Sequence, residues 1–125
     1  MCQKAFGSWG AALVSVPAKY LSWTWGQPGV FRSSAIIARG FCAKCGTPLY
    51  MREDGDDFFE LAIGAFDEPS RVGALSDQVG VESRVSWFGD MHLLPEKTTT
   101  ETRTPQDLAK LKSLQHPDHD TDHWP

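Results

Sequence analysis

The sequence predicts a mainly β domain, and three observations carry that expectation. Strand-length runs of apolar and β-branched residues recur along residues 10–89, each closed by Gly, Pro or acidic turn residues. The chain has 125 residues and 41% hydrophobic composition, which suits one domain with a sizeable core. Helical signals gather only near the C-terminus, in a segment of different, polar composition.

Taken in order, residues 10–16 are small and apolar, then β-branched, and end at Pro17, which reads as a strand. Residues 18–25 are aromatic and turn-like, closed by Gly26-Gln27-Pro28-Gly29. Residues 30–33 and 36–41 read as two short strands separated by a serine turn. Residues 47–52 form the next strand, ending at the acidic turn Glu53-Asp54-Gly55-Asp56-Asp57. Residues 58–63 run strongly apolar and stop at Gly64 and Asp67-Glu68-Pro69. This spacing suggests short antiparallel strands in a sheet sandwich or tent, with no internal repeat.

Residues 1–96 are therefore expected to form the β domain, and residues 97–125 a polar extension. One helix is expected at about 105–115. Thr104 suits an N-cap, Pro105 the first helical position, and Asp107 completes a capping-box pattern. Leu108, Leu111 and Leu114 give it a narrow apolar stripe, able to dock on the sheet or on a second subunit of a homodimer. Residues 116–125 are expected to be a disordered tail.

The formal net charge is -4 and no basic stripe exists, which argues against nucleic acid as a partner. No run of about 18 apolar residues is present to span a membrane. The start, Met1-Cys2-Gln3-Lys4, lacks an apolar signal core, so the expected compartment is cytoplasmic. Three cysteines, an odd number, do not make a disulfide scaffold.

The strongest local signal is Phe41-Cys42-Ala43-Lys44-Cys45-Gly46-Thr47. Two cysteines separated by two residues can place both sulfurs on one zinc ion, which favours tetrahedral thiolate ligation. Gly46 permits the positive φ that turns backbone amides toward the sulfurs. A thioredoxin-type redox pair would open a helix, whereas strand-like residues flank this pair. The metal reading leads, with redox thiols and inert buried thiols as alternatives. A structural zinc needs four ligands, and Cys2 is the one remaining cysteine. His92, His116, His119 and His123 are the imidazoles. The run from His116 to His123 is dense in donors, but the plainer reading is a solvated tail that binds divalent ions weakly.

Trp9, Trp23, Trp25, Phe58, Phe59 and Trp87 are expected in the core or at a subunit interface. Lys4 and Arg39 are candidates for an anionic substrate group, weighed against the plainer expectation of solvated surface charges.

Several stretches, in order, resemble the glutathione-dependent formaldehyde-activating enzyme (GFA) family, whose domain is shared with centromere protein V. Cys2-Gln3-Lys4-Ala5-Phe6-Gly7 is similar to the family's C-[RQ]-K-x-x-G segment, and residues 20–31 to its aromatic stretch. Arg39-Gly40-Phe41-Cys42-Ala43-Lys44-Cys45-Gly46-Thr47 resembles the R-x-F-C-x-x-C-G-[ST] hallmark. Ile63-Gly64-Ala65-Phe66-Asp67-Glu68-Pro69 is similar to another landmark, and residues 82–88 followed by Leu94-Pro95 to the family's closing strand.

The resemblance implies a β-tent fold and two zinc ions. One is structural, with Cys42 and Cys45 matching one of its two cysteine pairs. The other is open and catalytic, with Cys2 matching the last of its three cysteines. The implied reaction is carbon–sulfur lyase-like, joining formaldehyde to glutathione or a related small thiol. The family's other zinc ligands would fall upstream of Met1, so Met1 is expected to be an internal methionine, or the chain a fragment. Both zinc sites would then be incomplete. A complete structural zinc contributes on the order of 10 kcal/mol to folding, and a half-site little of it. The chain as given is thus expected to be poorly stable, metal-poor and inactive. Alternatives are a non-enzymatic, zinc-stabilised binding module and a thiol redox protein.

Overall fold

Turn chemistry decides where the strands stop. A computed structural model describes residues 1–123. It contains a short helix α1 (Cys2–Phe6) and strands β1 (Leu13–Pro17), β2 (Gly29–Arg32), β3 (Ile37–Phe41), β4 (Pro48–Glu53) and β5 (Phe58–Ala62). The five strands form one antiparallel sheet in the order β1-β5-β4-β3-β2. The fold is mainly β, as the sequence predicts, and no second sheet forms among the described residues. No helix among them is long and apolar enough to cross a membrane.

The Ser34 hydroxyl accepts from the Ile36 and Ile37 amides and shapes the serine turn between β2 and β3. The acidic turn between β4 and β5 bends at Gly55, with φ 81°. Arg32 donates to both carboxylate oxygens of Asp54, at 2.8 and 2.6 Å, and to the Ala35 carbonyl. This fork ties the two turns together at one end of the sheet. β1 alone arrives from far away in sequence, pairing Leu13 with Ala62 and Pro17 with Phe58.

Alternation along the strands puts Ile37, Arg39 and Phe41 on one face of β3 and Ala38 and Gly40 on the other. Gly40 pairs with Tyr50 across β3 and β4, and the Tyr50 ring lies flat over it. A Cβ at Gly40 would sit 1.8 Å from that ring, so only glycine fits. Trp23 packs tilted and Phe59 edge-on against Tyr50, with ring centroids at 5.9 and 4.9 Å. Arg52 covers Phe59 with its guanidinium 4.6 Å from the ring centroid.

This core is thin. Among the described residues the buried hydrophobics are Ile37, Tyr50 and Ala62. The chain exposes 9920 Å², whereas a compact chain of this length exposes about 6,700 Å². The core half of the aromatic expectation is corrected accordingly. Trp9, Trp23, Trp25, Phe58 and Trp87 keep a third or more of their surface exposed, and Phe59 is half-buried. The sheet's single layer offers too little depth to cover them.

Two further expectations change in the second half. Residues 82–88 are not a closing strand; 3₁₀ turns occupy Val81–Ser83 and Ser86–Leu93. Gly80 in the left-handed region turns the chain, and Phe88 packs on Trp9 with centroids 4.8 Å apart. The Gln3 side chain of α1 donates to the Ser83 carbonyl at 2.8 Å. The segment is thereby held beside α1, away from both sheet edges. The expected helix at 105–115 shrinks to α3 (Pro105–Leu108), preceded by α2 (Thr99–Thr102). Thr104 caps α3 as expected, accepting from the Asp107 amide. Leu111 and Leu114 remain exposed, and an isolated helix of this length is marginal without a face to pack on. Thr98 and Glu101 form a complete capping box that starts α2. Residues 116–123 carry neither helix nor strand, and the last two positions of the expected tail lie outside the described residues.

Replacing Gly40 by Ala should cost about 1–3 kcal/mol of stability through overpacking against Tyr50, read as a lower midpoint in urea. The Asp54 carboxyl is held below the usual carboxylate range by its hydrogen bond from Arg32, against desolvation. Its contribution is therefore present above about pH 4 and is lost as pH falls through the lowered value. Asp54→Asn should lower the thermal midpoint at neutral pH, and the gap to the unaltered chain should close in acid.

Candidate metal centre

Cys42 and Cys45 sit in the hairpin turn between β3 and β4. The Cys42 amide donates to the Thr47 carbonyl at 2.9 Å, and the Gly46 amide to the Cys42 carbonyl at 2.8 Å. Gly46 has φ 77°, the left-handed conformation its sequence position predicts. The turn is thus closed by backbone bonds before any ion is considered. Lys44, between the two cysteines, lies 4.8 Å above the Trp25 ring centroid.

Both thiols are free and half-buried. Cys45 Sγ lies 3.0 Å from the Thr47 hydroxyl. Burial pushes the Cys45 thiol up, but hydrogen bonds from the Thr47 side chain and backbone, the Cys42 thiol and the His116 backbone outweigh it. The net shift is downward, toward the thiolate. Two soft donors in a preformed turn, one of them favouring the anion, suit a soft or borderline cation such as zinc. They supply half of a tetrahedral set.

Cys2 opens α1, at a different place. Its sulfur accepts from Arg39 Nη2 at 3.4 Å. The Ser33 hydroxyl takes the Arg39 Nε–H at 3.1 Å, so the guanidinium is fixed at both ends. Arg39 is only 6% exposed, which corrects the expectation of a solvated surface charge; Lys4 is exposed as expected. Arg39 is buried because α1 lies over its face of β3. Its Nη1 is buried without a partner.

A cavity of about 220 Å³ lies between these two thiol positions. Phe6 of α1, Phe31, Arg39, Phe41, Gly46 and Pro48 are among its walls. A larger hollow of about 310 Å³, walled by Tyr50, Arg52, Glu53 and Asp54 among others, is removed from all three cysteines. No group of three or more His, Cys, Asp or Glu side chains that could hold a metal ion forms among the described residues. The structure therefore keeps Cys2 apart from the Cys42–Cys45 pair. His92 ends a 3₁₀ turn and is exposed. His116 touches Cys45 through its backbone, while its ring contacts the Pro117 carbonyl and the Thr121 hydroxyl at 2.8 and 3.0 Å. His119 and His123 are exposed.

Sequence reasoning misses Ser33 here: it reads as the end of a strand, and its role in holding Arg39 has no signature in the sequence. The placement of Arg39 did carry a signal: a charged residue between Ile37 and Phe41 on the inward-facing positions of a strand.

The family model described as glutathione-dependent formaldehyde-activating enzyme matches residues 1–79, which include all three cysteines, Arg39 and the whole sheet. Comparison with curated proteins and with solved structures gives no match.

Titration with cobalt(II), read by its sulfur charge-transfer absorbance, should report thiolate binding at the hairpin. Cys45→Ala should abolish the hairpin's share of the signal. Gly46→Val meets no steric obstacle but forces a branched residue to positive φ, at about 1–3 kcal/mol. It should therefore weaken cobalt binding by roughly tenfold or more.

Proposed function

The chain belongs to the glutathione-dependent formaldehyde-activating enzyme family, and from that premise we propose that it forms a carbon–sulfur bond between a small thiol and formaldehyde. The thiol is of the glutathione class. In the reaction the thiol sulfur attacks the aldehyde carbon, the carbonyl π pair moves onto oxygen, and the proton lost from sulfur ends on that oxygen. The product is a hydroxymethyl thioether, and the reverse reaction is the lyase direction.

The observation that carries this reading is the Arg39–Cys2 contact at the wall of the 220 Å³ cavity. Cys2 is the candidate ligand of an open zinc. Such an ion, when bound, lowers the pKa of a thiol or polarises a carbonyl. The chain's own residues do the rest. Arg39 fixes the Cys2 sulfur by a hydrogen bond donated from its guanidinium Nη2. Phe6, Phe31, Phe41 and Pro48 give the cavity apolar walls against which a small aldehyde can pack, with Phe31 and Phe41 also open to solvent. The cavity is large enough for formaldehyde and the reacting end of a thiol.

Cys42 and Cys45 have a separate task in this reading. They clip the β3–β4 hairpin, and Gly46 and Pro48 of that hairpin form the far wall. A structural zinc at this turn would stiffen the cavity without entering the chemistry. A second reading is a zinc-stabilised binding module, which the exposed Trp9, Trp25 and Trp87 favour as contact residues for a partner.

Zinc-loaded protein should speed the exchange between glutathione, formaldehyde and S-hydroxymethylglutathione, measured by carbon-13 exchange NMR. Cys2→Ala should remove that acceleration while circular dichroism shows the sheet intact. Loss of the sheet in Cys2→Ala would instead make Cys2 structural and favour the binding module.

A further inference from the structure

Arg39 is a buried cation without a carboxylate. The two ion pairs found among the described residues, Arg32–Asp54 and Arg71–Glu68, are both elsewhere and exposed. Glu60, two strands away on the same face, accepts from the Ser15 hydroxyl at 2.6 Å. A guanidinium removed from water is costly unless an anion and hydrogen bonds compensate it. Its five N–H groups can be counted. Nε–H goes to Ser33 and one Nη2–H to the Cys2 sulfur. Both Nη1–H groups are buried and unpartnered, and the second Nη2–H stands beside them. Parallel N–H groups on Nη1 and Nη2 form the fork that matches a carboxylate.

We infer that the buried Arg39 guanidinium, with its unpartnered Nη1 beside Cys2 in the wall of the α1–sheet cavity, is an anion subsite that holds a carboxylate of the thiol substrate. This rests on the thiol–aldehyde reading above and deepens it by naming what selects the thiol. Because Arg39 touches the Cys2 sulfur, a substrate held at the fork has its carboxylate within one short side chain of a sulfur engaged at Cys2. α1 is the movable wall. It is five residues long and contains no fully buried residue, so its shift has to break only a few contacts, the Gln3 bonds to the Trp9 and Ser83 carbonyls among them. An arriving carboxylate reaches Nη1 by a small outward shift of α1. Apart from Tyr50 the remaining lining is apolar and Arg39 is its one charge, so the subsite discriminates by charge at one point and mainly by shape elsewhere. Thiols lacking a carboxylate would leave Nη1 buried and unpaired, which is how a polar subsite rejects them.

The test uses the full chain and S-methylglutathione, whose blocked sulfur cannot form the adduct, together with its diethyl ester, in isothermal titration calorimetry. The acid should bind at least tenfold tighter than the ester. Arg39→Met should bring the acid down to the ester's affinity and leave the ester unchanged, and Arg39→Lys should retain part of the preference. Equal affinities of acid and ester, no binding of either, or a preference that survives in Arg39→Met would each overturn the subsite. If Arg39→Met does not fold, the acid–ester comparison on the unaltered chain decides alone. A chain that prefers the acid but does not speed adduct exchange would keep the subsite and lose the catalytic reading.

Discussion

The close seat of the Tyr50 ring on the bare backbone of Gly40 organises this molecule. It brings β3 and β4 together at the centre of a sheet that has little else to bury. Trp23 and Phe59 then gather around the ring, and burial pushes the Tyr50 phenol up, opposed by nearby Arg52. Fixing position 40 on one face fixes positions 39 and 41 on the other, because side chains alternate along a strand. Arg39 therefore faces α1, and the chain leaves β3 just before Cys42. Register at Gly40 thus sets the face on which Arg39 meets Cys2, while the ladder shifts between Gly40 and Phe41 before the cysteine hairpin begins.

The two thiol positions differ in kind. The hairpin thiols are close in sequence and held by local backbone bonds, so their arrangement belongs to a single turn. Cys2 is held across the fold by a guanidinium from another element. A local clip tolerates strain elsewhere in the molecule, whereas a contact between elements reports on whether they are docked. Between them lies the α1–sheet cavity.

Much of this was legible in the residues. Gly, Pro and acidic clusters marked all five strands to within a few positions, because turn chemistry is local. Gly46 announced its positive φ, and the strand-like flanks of the cysteine pair announced a hairpin rather than a helix start. What could not be read depends on what covers what. Arg39 reads as a surface charge by residue type; its strand position signals an inward face, but nothing in its own segment names α1 as the cover. Leu108, Leu111 and Leu114 promised a longer helix because their stripe says nothing about whether a partner face exists. Of the two places expected for the aromatic residues, core or subunit interface, one layer of sheet cannot provide the core. Residues 82–88 resembled a strand, but their contacts with Trp9 and Gln3 hold them in turns.

The pairing of β1 with β5 has a consequence in time. β2 to β5 form a meander whose contacts are all between neighbours in sequence, while β1 must find a strand about fifty residues away, and such long loops close slowly. The meander is the part expected to assemble first, with the cysteine hairpin inside it. β1 and the α1 helix just ahead of it are expected to dock afterwards. The two kinds of thiol would therefore reach their final geometry at different moments: the hairpin pair as soon as its turn closes, and Cys2 only when α1 docks and its sulfur meets Arg39.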